Sequence, residues 1–123
     1  MKTDIPTVNY LPEELIPEKE IDKFVQFTVN NNPYLRLGPN YGTHDQIVEA
    51  FCKELGISFR KRDLVIYPDD PNVEIVGAGC MYCLDREYIY YGDSFGYRIG
   101  PNKEHMLKIA TQFPDKKFVS KDA

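Results

Sequence analysis

Apolar residues recur at Ile47, Val48, Phe51, Cys52 and Leu55, one helical face at a spacing of about 3.6 residues. The helix start is marked: Thr43 can act as N-cap, and Gln46 three residues on completes a Thr-x-x-Gln capping box. Gly56 stands where a left-handed C-terminal cap would fall. Upstream the period changes to two. Over residues 23–29, Phe24, Gln26 and Thr28 alternate with Val25, Phe27 and Val29, a strand whose second set should face the core more strongly. Asn30-Asn31-Asn32-Pro33 carries turn chemistry. Tyr34-Leu35-Arg36-Leu37 reads as a short second strand before Gly38-Pro39-Asn40 turns the chain into the helix.

Beyond Gly56, Ile57-Ser58-Phe59 and Leu64-Val65-Ile66-Tyr67 are apolar runs joined by the basic stretch Arg60-Lys61-Arg62, read as a solvated turn. Pro68-Asp69-Asp70-Pro71-Asn72 is a loop, and Val73-Glu74-Ile75-Val76 a strand. Gly77-Ala78-Gly79 reads as a bend or bulge where backbone comes close to something. Residues 80–84 and 87–91 flank Asp85-Arg86 as a hairpin, followed by a loop or bent strand over 92–99. Gly100-Pro101-Asn102 opens a second helix, since proline suits a first helical turn. Met106, Ile109, Ala110 and Phe113 keep its spacing, Pro114 stops it, and 117–120 add a last strand. This order predicts an α/β layer fold: one domain with a mixed, largely antiparallel sheet of about six strands and at least two helices packed on it.

Residues 1–20 break the pattern. Pro6, Pro12, Pro17 and glutamates 13, 14, 18 and 20 predict an extended acidic arm over the surface of a domain spanning 21–123. Prolines at that density break helices and pair poorly at sheet edges. Ile5, Val8, Tyr10, Leu11, Leu15 and Ile16 give the arm apolar side chains to pack with.

Composition narrows the function classes. With 123 residues the chain can bury one core. A formal charge of −4 argues against a nucleic-acid partner, which usually demands a basic excess. No apolar run approaches the roughly 18 residues of a membrane span, and the N-terminus lacks a secretory h-region, so a cytoplasmic protein without a membrane partner is expected. The cysteines number three, too few and too odd for a disulfide framework. Cys80-Met81-Tyr82-Cys83 matches C-x-x-C in form, but in a strand the two thiols point to opposite faces, and no second pair completes a zinc site.

Chemistry concentrates at the first helix. His44, one of two histidines, takes the first helical position, where the helix dipole disfavours an imidazolium by about 0.3–1 kcal/mol. A neutral imidazole offers a lone pair to a nucleophile or general base, and the free N–H groups of that turn can hold an anion. The alternative is a surface histidine that tolerates the first turn. Lys23 opens the first strand; an exposed strand-end lysine is also ordinary. Ser94-Phe95-Gly96, with glycines at 92 and 96, lets backbone N–H groups turn toward an oxyanion while the hydroxyl adds a donor; a plain bend is the other reading. His105 is expected on the polar face of the second helix. Asp69, Asp70 and Asp93 lie in turns and form no acid/base pair.

Taken together in order, these pieces resemble the protein histidine phosphatases of the Janus/Ocnus family, small single-domain proteins of nearly this length. The matches are Lys23-Phe24-Val25, Thr43-His44-Asp45-Gln46-Ile47, Gly77-Ala78-Gly79 and Tyr91-Gly92-Asp93-Ser94-Phe95-Gly96-Tyr97. Lys108-Ile109 followed by Phe113-Pro114-Asp115 is the fifth. The resemblance spans about residues 21–120 and leaves the acidic arm outside. It implies a monomeric phosphatase without cofactor or metal, acting on phosphohistidine in a protein or peptide. His44 would be the catalytic residue, as general base or nucleophile. Lys23, the backbone at Asp45, and Ser94, Phe95 and Gly96 would bind the substrate phosphate. A non-catalytic domain that binds a phosphorylated partner through the same cradle is the alternative. Cys80 stands where the family has an arginine, which removes a cation near the site, and Arg98 is the nearby candidate to replace it. The segment from Ser58 to Pro71 is longer than in the family.

Overall fold

The computed structural model describes residues 4–15, 21–38 and 42–121. The proposed turn over 39–41 and the arm residues 16–20 lie outside them. Strand β1 (Asp22–Val29) is where the fold is organised, because both of its faces are covered. Val25, Phe27 and Val29 join one core with Ile47, Val48, Phe51, Cys52 and Leu55 of helix α1 (His44–Leu55). Phe24 faces the other way, into a second core with Met106 and Ile109 of helix α2 (Lys103–Ala110). The expected preference for one face is therefore corrected. Phe24 and Gln26 are as fully buried as Val25 and Phe27, since a helix lies on each side of the sheet.

The main sheet has five strands in the order β2-β1-β5-β6-β7. Strand β2 (Asn32–Gly38) returns from β1 across Asn30 and Asn31, whose φ values of 51° and 69° define a tight two-residue turn. Strand β5 (Val73–Leu84) pairs with the other edge of β1, and β6 (Glu87–Tyr91) follows after a turn at Asp85-Arg86. Strand β7 (Lys117–Ser120) closes the sheet, parallel to β6. A second, two-stranded sheet pairs β3 (Phe59–Arg62) with β4 (Val65–Pro68). The architecture is α/β, a mixed and mostly antiparallel sheet with two helices. Arg60-Lys61-Arg62 is thus strand rather than turn, and the reversal falls one step later at Asp63-Leu64, where Asp63 takes φ 57°.

Gly77-Ala78-Gly79 lies inside β5, and the irregularity beside it is a bulge. Gln26 pairs with Gly77 but Phe27 with Ile75, so Val76 is the extra residue. The close approach is real at both glycines. A Cβ on Gly77 would fall 2.1 Å from Gln26 Oε1, and one on Gly79 2.5 Å from the Tyr91 carbonyl. Pro101 precedes the N-cap of α2 rather than opening its first turn; Asn102 is the cap, its side chain accepting the His105 N–H at 3.0 Å.

The arm does pair with an edge. Thr7 accepts the Leu35 N–H at 2.8 Å, and Val8 bridges Leu35 in parallel. The Asn9 side chain exchanges two hydrogen bonds with the Leu37 backbone at 2.8 and 2.9 Å. Residues 7–9 contain no proline, so this short stretch can pair. Further along the arm Glu14 bridges Cys83 in parallel, and the Leu15 N–H donates to the Cys83 carbonyl at 2.6 Å. Arg36 ties it down: buried under the arm, it meets Glu54 at 2.8 and 3.1 Å and the Pro6 and Thr7 carbonyls at 2.6 and 2.9 Å.

His105 is buried, which corrects its expected place on a polar face. Nε2 lies 2.8 Å from the Phe27 carbonyl and Nδ1 3.0 Å from Gln26 Nε2. A carbonyl only accepts, so Nε2 carries the proton and Nδ1 receives the amide hydrogen. Both ring nitrogens are occupied, and burial holds the pKa below the ordinary imidazole value. The sign follows from linkage. Between the depressed folded value and the ordinary value near 6.5 the unfolded chain binds more protons, so stability falls as pH drops through that window. We expect His105→Ala to lower the stability by about 1–3 kcal/mol for each buried partner left unpaired. Its thermal midpoint should also depend less on pH just below 6.5 than that of the wild type. Calorimetry across that range checks both.

Candidate functional site

Helix α1 delivers His44 by local chemistry. Thr43 is extended (φ −115°, ψ 162°), and the Gln46 side chain accepts its N–H at 3.2 Å, closing the capping box. The Thr43 hydroxyl donates to the Asp45 carboxylate. At the far end Gly56 takes the left-handed conformation (φ 73°, ψ 33°).

His44 is buried, so it is not a surface residue that merely tolerates the turn. Its Nε2 lies 3.0 Å from the Gly79 carbonyl on β5. That carbonyl can only accept, so Nε2 is the protonated nitrogen and Nδ1 keeps its lone pair. Nδ1 has no hydrogen-bond partner among the described residues. Burial lowers the His44 pKa, and the Lys23 ammonium adds to the effect; the Gly79 hydrogen bond and the Asp45 and Asp93 carboxylates oppose it. The ring is neutral at pH 7.

Three separate segments meet His44 around a cavity of about 380 Å³. Lys23 reaches it from β1, where it pairs across the sheet with Cys80. Thr43 and Asp45 flank His44 on α1, and Asp93, Ser94, Phe95, Gly96 and Tyr97 form the opposite wall. Leu64, at the tip of the β3–β4 hairpin, completes the lining. Lys23, His44, Asp45, Ser94, Phe95 and Gly96 therefore all line one cavity.

The turn after β6 differs in detail from expectation. The Ser94 N–H is taken by the Ile99 carbonyl at 2.8 Å, and the Tyr97 N–H by Ser94 Oγ at 3.2 Å. The N–H groups of Phe95 and Gly96 have no partner among the described residues, and neither does that of Asp45 in the first turn of α1. The donors open to an anion are thus the N–H groups of Asp45, Phe95 and Gly96, the Ser94 hydroxyl and Lys23. Three of these five donors are backbone groups, and such a donor set can hold an oxyanion.

Arg98 does not replace the missing cation. It sits exposed at φ 56°, donating its N–H to the Ser94 carbonyl at 2.8 Å, and does not line the cavity. Cys80 lies beside Lys23 with its thiol pushed up by burial, so it stays neutral. Among the described residues that line the cavity Lys23 is the one cation, beside two carboxylates, Asp45 and Asp93. Sequence reasoning did not assign Leu64, Asp93, Tyr97 or the Gly79 carbonyl to the site. Asp93 and Tyr97 adjoin Ser94–Gly96 in one motif, and Gly79 reads as a close approach of backbone; Leu64 carries no local signal.

Comparison with protein-family models and with curated proteins finds no match for this chain. Among the described residues no helix is long and apolar enough to cross a membrane, and no group of three or more His, Cys, Asp or Glu side chains could hold a metal.

Proposed function

We propose that the chain is a phosphoramide hydrolase of the protein histidine phosphatase type, resembling the Janus/Ocnus family, and that it removes phosphate from phosphohistidine in a protein or peptide. In this reading it works in the cytoplasm as a monomer and without a metal. One observation carries the reading. His44, with a single unprotonated ring nitrogen, shares a cavity with Lys23 and with backbone N–H groups that nothing else among the described residues takes up.

The chemistry is coherent with that arrangement. Phosphoryl oxygens are met by the N–H groups of Asp45, Phe95 and Gly96, the Ser94 hydroxyl and the Lys23 ammonium. The His44 Nδ1 lone pair either removes a proton from the attacking water or attacks phosphorus itself. In the base route the ring passes the water proton on to the leaving nitrogen as the P–N bond breaks. In the nucleophilic route that nitrogen is protonated from solvent, and water then hydrolyses the phosphorylated ring. In both, the Nε2–H bond to Gly79 steadies the charge gained by the ring. Rapid acid-free quenching separates the routes, since only the nucleophilic one leaves phosphate on the enzyme. The decisive experiment is turnover of a phosphohistidine peptide by the wild type and His44→Ala side by side; a chelator should leave the wild-type rate unchanged.

The pH profile gives a second check. A base must be unprotonated, so kcat/KM falls toward acid with a midpoint below the ordinary imidazole value. Lys23→Met removes one of the two causes that lower this pKa, so its acid limb should move to higher pH while KM rises. Ser94→Ala should cost about 10²-fold in kcat, the usual loss for one oxyanion donor.

A second reading is favoured by the charge balance of the cavity. Among the described lining residues Lys23 is the one cation beside two carboxylates, with neutral Cys80 where the resemblance has arginine. A non-catalytic domain would bind a phosphohistidine peptide without turnover, and lose binding on Lys23 or Ser94 substitution.

A further inference from the structure

Apolar side chains in this chain are mostly buried, and the largest departure is at the mouth of the cavity. Phe95 is 96% exposed and Leu64 78%, the two most exposed large hydrophobic side chains among the described residues. Both line the cavity that holds His44. Their coincidence is not a property of one floppy loop, because they come from different elements joined by a rigid link. The Tyr97 hydroxyl donates to the Ile66 carbonyl at 2.7 Å and accepts the Ile66 N–H at 3.1 Å. The Tyr67 and Tyr97 rings meet edge-on with centroids 6.3 Å apart. Ile66 itself is buried in the core under α1. The β3–β4 hairpin that presents Leu64 and the turn that presents Phe95 are therefore held as one unit.

The donors that suit phosphoryl oxygens are backbone groups and Ser94, which is buried. A phosphoryl group held by those donors would leave its carrier to meet the other side chains that line the cavity, Leu64 and Phe95 among them. Water contacts both surfaces when the cavity is empty, and a flat ring laid against them removes that contact. Ammonia has no surface to bury there.

We propose that Leu64 and Phe95 are specificity-determining side chains that contact the carrier of the phosphoryl group and favour a histidine ring in a peptide as leaving group over ammonia. This rests on the reading of the cavity as a phosphoramide hydrolase site. The test is the ratio of kcat/KM for a phosphohistidine peptide to that for phosphoramidate, whose leaving group is ammonia. It is measured in the wild type, Leu64→Ser and Phe95→Ser, both of which keep the backbone donors. The ratio should fall about tenfold in each variant, chiefly through a higher KM for the peptide. A ratio equal to that of the wild type in both variants overturns the inference while leaving the hydrolase reading intact. A wild type that turns over neither substrate overturns both. Thermal unfolding of the variants should match the wild type, because neither side chain is buried, so a changed ratio cannot be assigned to misfolding.

Discussion

His44→Ala should lower turnover of a phosphohistidine peptide by about 10³-fold or more, with the protein still folded. The size follows from the ring having no understudy. The other histidine, His105, is buried with both nitrogens occupied and does not line the cavity. Asp45 and Asp93 do line it, but the Asp45 carboxylate is already engaged by the Thr43 hydroxyl. Retained folding is expected because alanine is a good helix former at the first position and α1 keeps its capping box and its Gly56 cap. The loss is one buried hydrogen bond, which leaves the Gly79 carbonyl without its His44 partner at a cost of about 1–3 kcal/mol. Circular dichroism and a thermal midpoint establish the fold, and phosphate release gives the rate. Wild-type turnover in a folded His44→Ala protein would end the proposal.

Gly79→Ala should lower stability by about 1–3 kcal/mol and activity with it. Its Cβ would stand 2.5 Å from the Tyr91 carbonyl and 3.0 Å from both Phe24 Cζ and Pro101 Cγ. A flexible side-chain tip could move aside, but a backbone carbonyl at the end of the β5–β6 pairing cannot without shifting the strand. Any such shift carries the Gly79 oxygen that holds His44 in its tautomer. Gly96→Ala is the control. Its Cβ meets only Val65 at 3.6 Å, an ordinary contact, so its stability should be close to that of the wild type. Denaturant unfolding of the two variants compares them directly.

Much of the fold was readable because it is decided within a few residues. The Thr43–Gln46 box and the Gly56 cap bracket α1, and Asn30-Asn31 and Asp85-Arg86 make the tight turns anticipated for them. The errors share a cause. Whether Phe24 or Val25 faces a core depends on what covers each side of the sheet, and α2 arrives from almost eighty residues away in the chain. His105 looks polar in its own helix and is buried because Gln26 and Phe27 offer it partners. The proline-rich arm looked unable to pair, yet residues 7–9 pair because the edge of β2 and Arg36 are there to receive them.

The candidate site divides the same way. The identity of His44, its place at a helix N-terminus and the donor-rich Ser94-Phe95-Gly96 turn are properties of short stretches, set by side chain–backbone bonds that span a few residues. Tertiary structure alone decided which nitrogen of His44 is free, because the carbonyl that fixes it lies on another strand, 35 residues away. It also decided that Leu64, about thirty residues before Ser94 in the chain, lines the same cavity. A chain encodes its turns and caps locally, where partners are already neighbours. Burial, tautomer and cavity walls belong to groups brought together only when the sheet and helices pack.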